Sequence, residues 1–443
     1  MTVHRRWVRG RASAAVIAGA ALLPASTPGW AADVALTKVA PTPAAPIPIE
    51  GALSLELAEQ LLVQRNREVQ AARRAIEVAE AGTLAAAARP NATVSLNTSY
   101  INLPKSLGGA DPRTNAGDTI LRIDQPFERG GKRELRRSVA KSALDAARLD
   151  LDDTQRQQLR ALRQGYYDLK LAEERLRVAR ESAAALAQTL DKARLRLKSG
   201  DIASSDLARI QVDALRAQND AQAARVDLLR AQTALALLIA VEPRAADLRA
   251  ADPWPVVTEV PSLADLESVI EARPDVAAAS ARLEAAAEAR KLAESLQTRD
   301  VTLGAQFERD NQLSANYLGV GVAIPLFTGY RFQGEIRRAY SDWGSAIDLH
   351  ERIKSSARAE VTFALTDLQD KTLRVRRYLD EALPSARRAA AAAEFAYSKG
   401  AASVLELLDA RRQLRAVELE AVTLQADFAK ARATLAAALN RNP

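Results

Sequence analysis

Glu406 and Asp409 stand three residues apart in the 443-residue sequence, a spacing that places two carboxylates on one face of a helix. Such a pair either favours nearby cations or is part of an ordinary solvated face. One half-chain earlier Asp206 matches Glu406, but Arg209 stands where a second acid would be. Other reactive types are scarce. The chain has no Cys, one Met (Met1) and two His (His4, His350). That excludes disulfides and thiolate metal sites and argues against a soft-metal centre. His350 has no Ser or acid constellation around it, and Gly130-Gly131-Lys132 lacks the full spacing of a phosphate-binding loop. The expectation is a protein that is not an enzyme and carries no cofactor.

The acids lie beside a turn that the chain makes twice. "LKSGDIASSDLARI" (197–210) is answered by "YSKGAASVLELLDA" (397–410), with Gly200 and Gly400 in the same place. Glycine suits the left-handed cap that ends a helix, so each stretch is expected to close one long helix and start an antiparallel partner. Apolar residues flank the turns in steps of three and four: Leu169, Ala172, Leu176 and Ala179 before the first, Leu207, Ile210, Ala214 and Ala217 after it. Leu407, Ala410, Leu414 and Val417 repeat the rhythm two hundred residues on. This is a heptad seam, the pattern of helices packed as coiled coils, and its alanines let the helices approach closely. Pro is absent from 127 to 242 and Gly165 is the single glycine between 132 and 199. A helix is therefore predicted from about 132 to 199, roughly 100 Å long.

The rest of the chain also says one thing twice. Residues 66–96 answer 273–303, 125–133 answer 324–332 with Pro126 matching Pro325 and Gly130 matching Gly329, and 229–243 answer 429–443. A period near two hundred residues indicates duplication of a large unit. Four of the seven excess positive charges are Arg5, Arg6, Arg9 and Arg11, ahead of the apolar run "AAVIAGAALL". Residues 1–32 read as a secretory signal peptide, whose removal leaves a charge of +3. That mild excess, interleaved with acids, gives no case for nucleic-acid binding. Residues 33–51 are expected as a Pro-rich tether, 52–243 as the first repeat, 244–261 as a linker and 262–443 as the second repeat.

Two strand-like runs precede each long helix. Residues 92–100, 118–127, 301–310 and 317–327 alternate apolar and polar or small residues. Val94, Leu96, Tyr100, Leu121, Ile123, Phe127, Leu303, Phe307, Leu318, Val320 and Val322 fall on apolar faces. Runs of this length fit either transmembrane barrel strands or a small soluble sheet capping a bundle. Four strands cannot close a barrel in lipid, whereas three copies would supply twelve. The expected fold is mainly α with a small membrane β-barrel portion, built from duplicated halves with long antiparallel coiled-coil helices.

The duplicated halves, Pro126 and Pro325 at the strand-to-helix junctions, and the two glycine turns resemble the TolC-type outer-membrane efflux proteins over about 52–443. The resemblance implies a homotrimer, with a twelve-stranded barrel in outer-membrane lipid and a helical α-barrel reaching into the periplasm. It implies a passive exit duct of a tripartite system, with a periplasmic adaptor and an inner-membrane pump as partners. By the same resemblance the tips that meet the adaptor are Ser199, Gly200, Asp201, Ile202, Ala203, Ser204 and Ser205, and Lys399, Gly400, Ala401, Ala402, Ser403, Val404 and Leu405. Glu406 and Asp409, with Asp206, would form acidic rings at the pore gate. "ERGGKRELR" (128–136) looks like the CzcC-type members that serve heavy-metal pumps of the resistance–nodulation–division class. Equally, Gly130-Gly131 makes the bend and Lys132 and Arg133 sit at the membrane–water boundary. A type I secretion or multidrug duct, and a soluble periplasmic coiled-coil scaffold, remain the alternatives.

Overall fold

A computed structural model of the chain describes residues 52–99, 118–257, 266–310, 313 and 315–440. The expected signal peptide, the tether, Tyr100 and the loop around 103–117 lie outside the described residues.

The first half runs α1 (Leu55–Arg65), α2 (Arg67–Ala87), β1 (Thr93–Thr98), β2 (Thr119–Phe127), α3 (Lys132–Lys198) and α4 (Ser204–Leu238). The second runs α5 (Leu266–Glu271), α6 (Pro274–Ser295), β3 (Val301–Asp310), β4 (Ala315–Ala323), α7 (Gln333–Arg377), α8 (Leu383–Ser398) and α9 (Val404–Ala438). A π turn, Tyr378–Ala382, joins α7 to α8. The predicted long helix is present as the 67 residues of α3. Among the described residues no helix is long and apolar enough to cross a membrane.

The seam becomes the core. Leu162, Leu169 and Leu235 are fully buried between α3 and α4, with Leu61 and Leu62 of α1 packed on them. Val361, Leu368 and Val375 of α7 meet Leu424, Phe428 and Leu435 of α9 in the second half. Each buried leucine contributes about 2 kcal/mol by leaving water. The stretch expected as a linker is partly pinned. Leu53 N–H donates to Arg249 O (2.7 Å), Ala251 N–H donates to Leu53 O (3.0 Å), and Leu248 is buried.

The strands form one antiparallel sheet in the order β1-β2-β3-β4, so β2 and β3 join the two repeats. Val94 pairs with Ile123, Leu121 with Phe307 and Leu303 with Val322, so the apolar face is continuous across strands. That face is uncovered, with Leu318 82% and Val320 89% exposed. β4 stops at Ala323 instead of continuing to 327, ahead of Pro325, which has no N–H for a ladder. Pro126 stays inside β2 because β1 has already ended there, leaving a neighbour on one side only.

The junction into α3 is pinned by an ion pair that crosses the two repeats. Lys132 is 7% exposed, and its Nζ donates to Asp300 Oδ1 (2.7 Å) and Thr298 O (2.8 Å). Gly130 (φ 74°) packs against Thr298 so closely that a Cβ would lie 2.8 Å away. The matching Gly329 has no left-handed backbone; Phe332 (φ 62°) takes that conformation at the start of α7 instead.

Candidate functional site: the two hairpin tips

Both tips are built by the same cap. Gly200 (φ 80°) donates to Leu197 O (3.1 Å), and Asp201 N–H reaches back to Arg196 O (2.9 Å). Gly400 (φ 76°) donates to Tyr397 O (3.1 Å), and Ala401 N–H to Ala396 O (2.9 Å). These bond pairs satisfy the last carbonyls of each helix and reverse the chain. A Cβ would meet nothing within 4 Å at either glycine, so the backbone angle alone requires it.

The turns restart differently. Ser403 Oγ accepts from Glu406 N–H (3.3 Å), whereas Ala203 offers α4 no side-chain cap. Ser403 thus caps the start of α9 through the backbone N–H of Glu406. Ser199, Gly200, Asp201, Ala203, Ser204, Ser205, Lys399, Gly400, Ala401, Ser403 and Leu405 are exposed; Ile202 and Ala402 are half-buried. Val404 departs from the expected docking surface. It is 7% exposed because it packs with Leu408, Leu186 and Ile210 in the apolar cluster that joins the two hairpins.

Glu406 and Asp409 are both exposed on α9. Asp409 faces Arg412 Nη1 at 3.4 Å, while half-buried Asp206 has Arg209 at 3.9 Å. Among the described residues of one chain, no group of three His, Cys, Asp or Glu could hold a metal ion.

The links that tie the hairpins together are absent from the sequence reading. Arg412 Nη2 donates to both oxygens of buried Asp213 on α4 (2.8 and 2.6 Å), and Arg415 to Asp220 (2.7 Å). The hydrogen bonds that Arg412 donates to Asp213 raise its pKa, against partial burial and with the help of the Asp213 charge. Arg411 donates to Thr189 Oγ1 (2.6 Å) and to Glu394 (2.7 Å). A cleft of about 540 Å³ opens around these pairs between α3, α4, α8 and α9. The sequence signal was an acid immediately before the seam residue Ala214.

Residues 58–241 and 266–441 match the family described as outer membrane efflux protein. The cobalt-zinc-cadmium resistance protein CzcC of Cupriavidus metallidurans is 25% identical over 389 residues, 88% of this chain and 90% of that protein. The pyoverdine export outer membrane protein OpmQ of Pseudomonas putida is 28% identical over 331 residues, 70% of this chain and 67% of that protein. The solved structure of the outer-membrane channel OprN superposes with a TM-score of 0.74 at 19% identity, covering 88% of this chain and 90% of that one. Two matched halves, the sheet and the paired hairpins agree on one conclusion: this chain belongs to the outer membrane efflux protein family.

Proposed function

We propose that three copies of the chain close a twelve-stranded barrel in the outer membrane, continue as a helical tube in the periplasm, and give a tripartite pump its passive exit. The carrying observation is the sheet: its apolar face is uncovered and β1 and β4 are open edges. Lipid does not tolerate open edges, and closure by further copies removes them. The likeness to CzcC, a cobalt-zinc-cadmium resistance protein, supports metal cations as cargo, and the pump is of the resistance–nodulation–division class that the sequence resemblance implies. The likeness to OpmQ favours a second reading, a small organic cargo. With no Cys and two His the chain conducts cargo rather than holding it.

Glu406 and Asp409, joined by Asp206, form the acidic gate, and the exposed residues of the two tips receive a periplasmic adaptor. In a planar bilayer the purified protein gives discrete channels blocked by divalent cations on the tip side. Replacing Glu406 and Asp409 by Ala raises conductance and weakens the block severalfold; a protein that never conducts and fractionates as soluble would leave a periplasmic scaffold. Gly400→Pro abolishes adaptor docking and leaves the trimer intact, read by crosslinking and by resistance of cells to the cargo. Unchanged resistance would remove the tip assignment.

A further inference from the structure

The polar face of the sheet carries one cation among the described residues. Side chains alternate along each strand, so Thr93 and Ser95 of β1, Arg122 and Asp124 of β2, Gln306 and Glu308 of β3, and Tyr317 of β4 share the face opposite the apolar one. Arg122 lies at the middle of β2, paired with Ser95 on one side and Gln306 on the other. Its Nε donates to Asp124 Oδ2 (2.7 Å) and its Nη1 donates to Gln306 Oε1 (3.2 Å).

An arginine on a wetted wall would ordinarily extend into water. Here it is laid flat, and the neighbouring strands are cut away to fit it. A Cβ at Gly304 would lie 2.8 Å from Arg122 Nη2 and 2.4 Å from Asp124 Oδ1. Gly321, the cross-strand partner of Gly304, would place a Cβ 3.8 Å from the same Nη2. Glycine inside a strand weakens it, so a pair of facing glycines marks a close approach. The approach is that of the guanidinium to the wall. The trough lets the positive charge neutralise Asp124 without filling the bore, while Glu308 and Asp310 of β3 share the same face.

We infer that Arg122 is a specificity-determining residue of the barrel bore: held against the wall by Gly304, Asp124 and Gln306, it limits how strongly the bore prefers cations. The inference rests on the barrel reading above. In a trimer its loss uncovers three carboxylates at one height, and a narrow water-filled passage focuses that field on passing ions.

The absence of cysteine makes the test direct. Ser95→Cys places a single thiol across the strand pair from Arg122. Intact outer membranes are treated from outside with a cationic and with an anionic methanethiosulfonate, so the periplasmic gate does not enter the measurement. Arg122→Gln keeps a hydrogen-bonding side chain and removes the charge. It is expected to raise the cationic-to-anionic ratio of labelling rates about fivefold, as a unit charge at this distance in a water-filled bore would. Arg122→Lys is expected to hold the ratio within about twofold of the parent, because the charge persists. An unchanged ratio in Arg122→Gln overturns the inference and leaves the barrel standing. An equal rise in Arg122→Lys overturns it too, since fit rather than charge would then matter. A thiol at position 95 that neither reagent reaches overturns the barrel and this inference together.

Discussion

The two hairpins share one seam but not one helix. α3 runs unbroken for 67 residues, while its counterpart passes through a π turn at Tyr378–Ala382 and resumes as α8 with Pro384 in its first turn. Above the break the buried pairs Leu162 and Val361, Leu169 and Leu368, and Leu176 and Val375 are each 199 residues apart. At the tips Gly200 and Gly400 are 200 apart. The second hairpin therefore holds one residue more. An extra residue in an α-helix rotates everything beyond it by about 100°. The wider π turn absorbs it, and Ala390 of α8 returns to a buried position. The missing N–H of Pro384 also costs least beside a break in the α-ladder.

The bases of the hairpins solve one problem with different chemistry. In the first half Asn66 caps α2, accepting from Glu68 N–H (2.9 Å) and Val69 N–H (3.1 Å), and donates to Leu238 O (2.9 Å) at the end of α4. In the second, Arg273 stands before α6 and donates to Ala438 O (3.1 Å) at the end of α9. Arg273 is 1% exposed, so its charge is met by Asp275 (3.0 and 2.6 Å) and Glu360 (2.7 Å), with Arg156 beside Asp275 at 3.4 Å. The neutral version needs no counter-charge; the ionic version needs carboxylates to balance a buried guanidinium.

That contrast sets the largest expected effect. Arg273→Ala removes the buried centre of the network, leaving Asp275 with Arg156 (3.4 Å) and Glu360 with Arg160 (3.0 Å), and should destabilise by about 3 kcal/mol. Asn66→Ala loses a cap and one carbonyl partner, about 1–2 kcal/mol. Heating each variant in detergent while following helical circular dichroism compares them. Equal losses would mean that the network adds nothing over a neutral cap.

Acid should separate the halves next. Burial alone would raise the Asp275 pKa, but hydrogen bonds and charge from Arg273, with the charge of Arg156, hold it below the ordinary carboxylate value. Hydrogen bonds from Lys354 and Arg358 hold Glu267 down at about 2. Carboxyls lowered on folding contribute stability above their unfolded pKa and lose it as pH falls through the folded one. The melting midpoint should therefore drop below about pH 4, and Asp275→Asn should flatten that drop. Asn66 has nothing to titrate. A variant as acid-sensitive as the parent would place the titration elsewhere.

The sequence made the seam, both glycine turns and the two faces of the strands legible, because each is local: a period of three and four, a left-handed cap, an alternation of two. It concealed what depends on partners far along the chain. Lys132 looks like an exposed lysine until Asp300, 168 residues away, closes on it. Asp213 looks solvated until Arg412 arrives from the other hairpin. Val404 lies within a run expected as an exposed tip, and its burial is decided by Leu186 and Ile210. The π turn was visible only as a one-residue disagreement between seam spacing and turn spacing.

The smallest difference between the halves is also a clean test of local strain. The helices α4 and α9 both end on a left-handed residue, Ala240 (φ 53°) and Asn440 (φ 51°). At the first, Val241 N–H closes the cap on Ala236 O (2.9 Å). Alanine has no means of offsetting the clash of its Cβ there, whereas asparagine is among the residues that accept this backbone. Ala240→Gly should therefore stabilise by about 0.5–1 kcal/mol, the relief of strain less the greater freedom of glycine in the unfolded chain. Asn440→Gly should change stability by no more than a few tenths of a kcal/mol. If both substitutions shift the melting midpoint alike, backbone strain at Ala240 is not what separates the two helix ends. Half-buried Ala240 would then be held by its packing, and the duplicated caps would be equivalent in energy despite their different residues.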